Sequence, residues 1–185
     1  VRPSRHFSAC LAALVLLLAG CEPGADLPVL PAADIGQIYK LGSGDEVRIT
    51  TFGEKDLSGD FGVDDSGFVS LPLAGPVHAE GLTTRGLADE IGHTLRAKNL
   101  LADPNVVVEV VRYRPIFVLG EVQRPGPYPY QVRMSFLNAV AMAGGFTPRA
   151  VKSHATVVRG TEKGRIDQVG QIEPGDIITV EERNF

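Results

Sequence analysis

The stretch Ile116–Pro148, IFVLGEVQRPGPYPYQVRMSFLNAVAMAGGFTP, leaves this chain few folds to choose from. Ile116 to Leu119 is an apolar strand candidate that runs into Gly120 and then Glu121-Val122. Pro125, Gly126, Pro127 and Pro129 follow. Each proline fixes φ and removes a main-chain donor, so no helix or central strand passes through them. Ser135 can cap a short apolar helix over Phe136–Ala143, and Gly144-Gly145 can stop it by adopting the left-handed conformation that ends helices. Strand, Pro-Gly turn, short strand, capped helix and double-glycine stop predict a compact βββα-like unit. It contains no nucleophile, metal-ligand spacing or phosphate cradle, which argues for scaffold rather than catalysis.

The chain of 185 residues has room for one medium domain or two small ones. With 44% hydrophobic and 22% charged residues it has a globular composition. Its 21 glycines and 13 prolines predict many turns and short strands. The formal charge of −4 argues against a nucleic-acid partner.

Both cysteines lie near the N-terminus, and their context is that of a leader. Arg2 and Arg5 form a positive region, and Phe7–Leu18 is an apolar run too short for a comfortable membrane span. It ends in Leu18, Ala19, Gly20 and Cys21, small residues before a cysteine as in a lipobox read by lipoprotein signal peptidase. The alternative is an uncleaved anchor with an incidental cysteine. On the lipobox reading 1–20 is a signal peptide, the mature chain starts at the lipidated Cys21, and Cys10 is discarded, leaving no disulfide. Loss of Arg2 and Arg5 takes the formal charge to −6. Glu22, where aspartate would favour inner-membrane retention, favours the outer membrane. Residues 21–36, with Pro23, Gly24, Pro28 and Pro31, read as a flexible tether.

Beyond the tether, Glu46–Phe52 alternates polar and apolar residues as a half-buried strand does. Phe61–Val63 and Phe68–Leu71, joined by Asp64-Asp65-Ser66-Gly67, read as a hairpin. Pro72–Val77 reads as a further extended segment. Thr83 can cap a helix in which Leu87, Ile91 and Leu95 form one buried stripe. Asn105–Val111, rich in valine, is a strand expected in the core. His154–Arg159 is another strand, Gly164–Val169 a turn plus short strand, and Ile177–Glu182 the last strand. Gly44-Asp45 and Gly175-Asp176 both place a Gly-Asp turn at the start of a strand, an echo ascribed to common turn chemistry.

Taken together these segments resemble the bacterial outer-membrane polysaccharide export (OPX) family. Tyr39, Leu41, Gly44, Asp45, Val47 and Ile49 carry the likeness to its first module, continued by Val63, Gly67, Leu71-Pro72-Leu73, Gly75, Gly81-Leu82-Thr83, Pro104 and Val106-Val107-Val108. Val118, Gly120-Glu121-Val122, Pro125-Gly126, Tyr128, Leu137, Ala143-Gly144-Gly145, Ala150 and Arg159 resemble its SLBB module. The resemblance implies an α+β fold: a small mixed-sheet export domain over 37–113, then a β-grasp-like SLBB domain with a C-terminal strand over 114–185. It implies a non-enzymatic component of a capsular or exopolysaccharide export channel, without cofactor or metal. Such a protein is lipid-anchored in the outer membrane, faces the periplasm and assembles into a homo-oligomeric ring around the exported polysaccharide. The implied partners are an inner-membrane co-polymerase, often linked to a tyrosine kinase, and a separate outer-membrane barrel. The best-known members carry further SLBB repeats and a C-terminal amphipathic helix; here the sequence ends in Ile177–Phe185, so a short ring component is expected.

The candidates for chemistry are few. Asp64-Asp65 suits a turn better than a pair of glycosidase acids, because neighbouring side chains diverge. His78, His93 and His154 have no ligand spacing. Arg112, Tyr113, Arg114 and Arg124 are candidate sugar or subunit contacts, or else solvated strand ends and loop. Gly44, Asp45, Gly120, Pro125, Gly126, Gly144 and Gly145 are structural. Two other readings stay open. One is a monomeric periplasmic lipoprotein binding sugar or another small molecule through its SLBB unit. The other is a polysaccharide lyase or hydrolase, which needs acids clustered in a cleft.

Overall fold

A computed structural model of the chain describes residues 26–30 and 39–183. The fold is α+β, in two modules with separate cores. The first is built on a three-stranded antiparallel sheet in the order β2-β1-β5, with β1 Glu46–Thr51, β2 Glu54–Gly62 and β5 Val106–Arg112. β1 takes the centre, its alternation turning Val47, Ile49 and Thr51 into the core. Val47 and Ile49 are wholly buried, while Arg48 and Thr50 face solvent. Helix α1, Thr84–Ala97, packs on that face. Thr83 Oγ1 accepts the Gly86 N–H at 3.0 Å, satisfying a donor that a helix start leaves free. Leu87, Ile91 and Leu95 are completely buried, each contributing roughly 1.5–3 kcal/mol through burial. Asn99, at φ 55°, ends the helix: its N–H reaches the Arg96 carbonyl and the Leu100 N–H reaches Leu95, both at 3.0 Å. A hairpin of β3 Phe68–Leu71 and β4 Gly75–His78 completes this core.

The second module is a five-stranded mixed sheet in the order β7-β6-β10-β8-β9. Its strands are β6 Ile116–Gly120, β7 Gly126–Tyr128, β8 His154–Arg159, β9 Glu162–Asp167 and β10 Ile177–Val180. β10 enters the middle, parallel to β6 and antiparallel to β8. Helix α2, Phe136–Met142, carries the expected cap: Ser135 and Asn138 form a reciprocal capping box. It buries Phe136, Ala139 and Val140 against the sheet. Its double-glycine stop is a left-handed one. Gly144 and Gly145 sit at φ 86° and 94°, with Gly144 N–H on Ala141 at 3.1 Å and Gly145 N–H on Val140 at 2.9 Å. Gly120, at φ 80°, is needed for a second reason: a Cβ there would overlap the Val180 carbonyl of β10.

Several expectations are corrected. Phe61–Gly62 does not pair with β3; it is the end of β2, whose partner is β1. Asp64–Gly67 is still a turn, closed by Gly67 N–H on the Asp64 carbonyl at 2.9 Å, but it links two sheets rather than two arms of one hairpin. Pro72–Ala74 is the β3–β4 turn, with Leu73 at φ 62° and exposed, so only Gly75–His78 is extended. β5 is an edge strand, and of its valines only Val108 counts as buried; Val107 and Val111 face solvent. β9 begins at Glu162, which places Gly164 inside a strand and not at a turn. Part of the expected tether is held: Leu30 N–H bonds the Arg165 carbonyl at 2.9 Å, Arg165 N–H bonds the Pro28 carbonyl at 2.8 Å, and Leu30 joins the second core. A Cβ on Gly164 would come within 2.5 Å of Leu30. The lipobox residues Leu18, Ala19, Gly20 and Cys21 lie outside the described residues.

Candidate functional site

Three of the four candidate contact residues fall where one module becomes the next. β5 ends at Arg112, Tyr113 and Arg114 follow, and Pro115 leads into β6. Arg112 reaches along the solvent face to Glu46 at 2.5 Å, and its side chain remains 72% exposed, so this pair adds little. Tyr113 turns inward. Its ring stands edge-on to Tyr39 of the first module at 4.9 Å and to Tyr130 of the second at 5.4 Å. Each such aromatic pair is worth roughly 0.5–1.5 kcal/mol beyond the area it buries.

Arg114 makes the polar half of the joint. Its main-chain N–H donates to Asp45 Oδ1 at 2.8 Å, and Nη1 lies 3.4 Å from Asp45 Oδ2 and 3.1 Å from the Tyr39 hydroxyl. On its other side Nε donates to the Pro174 carbonyl at 3.0 Å. Asp45 is 1% exposed, and such a carboxylate is tolerable only when its lone pairs are filled. The Tyr39 hydroxyl at 2.6 Å and the Gly42 N–H at 2.9 Å complete its set. Burial, and then the hydrogen bond and charge of Asp45, push the Tyr39 phenol far above its ordinary value, so it remains a donor. Burial likewise raises Tyr113 and Tyr130. The guanidinium lies across Gly42 and Gly175; a Cβ on Gly175 would approach Nε to 2.8 Å, and one on Gly42 would overlap Nη1.

The echo between the two Gly-Asp turns is therefore structural. Gly44 and Gly175 sit at φ 90° and 86°. In each turn the aspartate accepts the N–H three residues back, Asp45 from Gly42 at 2.9 Å and Asp176 from Glu173 at 2.7 Å. Each carboxylate is buried and meets an arginine. Asp176 takes Arg159 in a two-point contact at 3.0 and 2.8 Å, and Arg159 also holds Glu173 at 2.8 Å. Arg114 touches both turns at once. The carboxylates that burial singles out are thus fully engaged in holding main chain and arginine, and neither faces an open cleft.

Arg124 lies elsewhere, against the end of α2. Its N–H bonds the Ala143 carbonyl at 2.9 Å and Nη2 the Met142 carbonyl at 3.2 Å, filling acceptors that the helix terminus leaves free. Pro125 and Gly126 bring β7 back to pair with β6. Asp64 Oδ1 accepts the N–H groups of Ser66 and Phe68, both at 2.9 Å, which is turn chemistry. His78 stacks edge-on to Phe68, and His93 is on the exposed face of α1. Among the described residues no three His, Cys, Asp or Glu side chains are grouped to hold a metal, and no helix is long and apolar enough to cross a membrane. Sequence reasoning did not single out Tyr39 and Tyr130 as joint residues; the paired Gly-Asp turns were the signal that pointed there.

Comparison with known proteins divides the chain at this joint. Residues 33–111 match the family model described as polysaccharide biosynthesis/export protein, and residues 115–169 match the SLBB domain. The exopolysaccharide production protein ExoF of Rhizobium meliloti (strain 1021) is 38% identical over 145 residues, covering 74% of this chain and 34% of that protein. The chain thus spans about a third of the length of that relative.

Proposed function

The chain belongs to the polysaccharide biosynthesis/export family, its export domain followed by an SLBB domain, and on that premise we propose that it is a non-enzymatic component of an exopolysaccharide or capsule export route. The observation that carries this reading is the pair of modules in family order, tied by Arg114, which bonds Asp45 of the first and Pro174 of the second. A route for hydrated sugar needs polar walls and no tight site, since tight binding would stall the chain. The two buried carboxylates at and beside the joint are committed to structure, which favours wall over enzyme. The finer parts of the proposal rest on the lipobox and on what the family resemblance implies. Cys21 carries the lipid that anchors the protein in the outer membrane, the modules face the periplasm, and copies form a ring. An inner-membrane co-polymerase delivers the sugar, and a separate barrel completes the passage across the outer membrane.

Deletion of the gene, with no second copy of the family present, tests the reading. Surface polysaccharide is expected to be lost while its repeat unit is still made. Normal surface display in the deletion strain would overturn it.

A further inference from the structure

The two main sheets end in four edge strands, and an unpaired edge invites another strand unless something blunts it. β7 is three residues long and contains Pro127, which has no N–H to offer. β9 is covered at Arg165 by Pro28–Leu30. β2 carries Lys55, Asp56 and Asp60, charges that oppose its pairing with its own copy. β5 is neither shortened nor interrupted by proline, and its charges are Glu109 and the terminal Arg112 alone. It reads Val-Val-Val-Glu-Val-Val-Arg over seven residues, and among the described residues no strand pairs with it on the side away from β1.

Which groups it offers follows from the ladder. Phe52 N–H bonds the Asn105 carbonyl at 2.9 Å, so the main chain of Asn105 faces β1. Alternation then turns Val107 and Glu109 toward β1, and turns the N–H and C=O groups of Val106, Val108 and Val110 outward. The exposed side chains of Val107 (53%) and Val111 (44%) flank this row. Beside it a groove of about 620 Å³ runs between α1 and Pro104–Val106, with Gly86 and Gly92 on the helix side.

We propose that a second copy of this chain adds a strand at β5, continuing the three-stranded sheet from one protomer to the next. The inference rests on the ring reading above and names its contact. A ring requires two different surfaces on opposite sides of the protomer. β5 and β2 are the opposite edges of one sheet, and both run antiparallel to β1, so β2 of one copy can meet β5 of the next with strands parallel. Pairing of β2 with itself would bring Asp56 and Asp60 against their own copies. The one acid on β5, Glu109, is set beside Arg48 of β1. A stable contact buries roughly 1,200–2,000 Å² in total, more than a short peptide offers and within what a second protomer has the surface to provide.

Two substitutions spare the β1–β5 ladder. Val107→Lys places an ammonium at the edge, and Val106→Pro removes an outward N–H. The chain is extracted in detergent and its mass measured by native mass spectrometry, with circular dichroism and melting temperature as the check on folding. Wild type is expected to assemble. Each variant is expected to dissociate at concentrations at least tenfold higher than wild type does, and V106P decides if V107K fails to fold. V107K keeps its β2 edge, so mixed with wild type it is expected to cap open, shortened assemblies. Wild-type assembly undiminished in both variants would overturn the β5 contact and leave the ring standing. A wild type that is monomeric at every concentration would overturn both. A V107K protein that wild type ignores in the mixture would overturn the head-to-tail arrangement.

Discussion

Asp45→Ala is the substitution with the largest expected cost at the joint. The carboxylate accepts from Tyr39, from the Gly42 N–H and from Arg114 through both main chain and side chain. Removing it leaves a buried hydroxyl, two main-chain donors and a guanidinium without their acceptor. Breaking a buried ion pair from one side costs about 3–5 kcal/mol. The Arg114 side chain is 30% exposed and recovers some water, which places the loss toward the lower end of that range. Arg114→Ala should cost less, about 1–2 kcal/mol, because Asp45 keeps three donors, one of them the residue's own main-chain N–H. The double variant should be far from additive, with a coupling of about 1–3 kcal/mol. Urea unfolding of the four proteins, followed by circular dichroism, measures the cycle. A separate, earlier transition for one module in Asp45→Ala is also expected, since the same carboxylate ties Arg114, and through it Pro174, to the first module. A loss below about 1 kcal/mol for Asp45→Ala with a single unchanged transition would refute the reasoning, because buried donors cannot be orphaned so cheaply.

Other outcomes follow from the same geometry. The Tyr39 phenol is held far above its ordinary value by burial and then by Asp45, so its contribution is whole below the unfolded tyrosine value of about 10 and is lost as pH rises from there toward the folded value. The urea midpoint should fall above about pH 10, and Tyr39→Phe should flatten that fall; an identical alkaline slope would contradict the assignment. Gly145→Val should destabilise the protein by roughly 1–3 kcal/mol, since φ 94° is forced by the helix stop although the space beside it is open. Gly145→Asn should lose less, and equal melting temperatures would show the stop to be ordinary helix. Gly120→Ala should be worse than Gly145→Ala, because its Cβ meets β10 main chain rather than solvent; the melting temperatures give the order. Cys21→Ser should abolish acyl labelling and leave a longer precursor, and undiminished labelling would refute the lipobox.

What was legible in the sequence was local. Ser135 with Asn138 and the two glycines after Ala143 mark α2 because capping and left-handed stops are chemistry of adjacent residues. Thr83 with Leu87, Ile91 and Leu95 marks α1 for the same reason, and the alternation of β1 reports its one buried face. β2 was illegible: Glu-Lys-Asp-Leu-Ser-Gly-Asp-Phe-Gly has weak strand propensity, and pairing with β1 is what makes it a strand. The valines of β5 announce a strand but not its place at an edge, which depends on what lies on its other side. The joint was the least legible part of the site. Arg114 reaches Tyr39, Asp45 and Pro174 across 75, 69 and 60 positions of sequence, and only the repeated Gly-Asp turn hinted that they share a purpose.

The short pairing of Pro28–Leu30 with β9 sets a limit on geography. With Pro28 fixed on the SLBB module, only seven residue steps separate it from Cys21. Fully stretched, that leash reaches about 25 Å, less than the thickness of many domains. On the lipidated reading the SLBB module is therefore moored close under the bilayer.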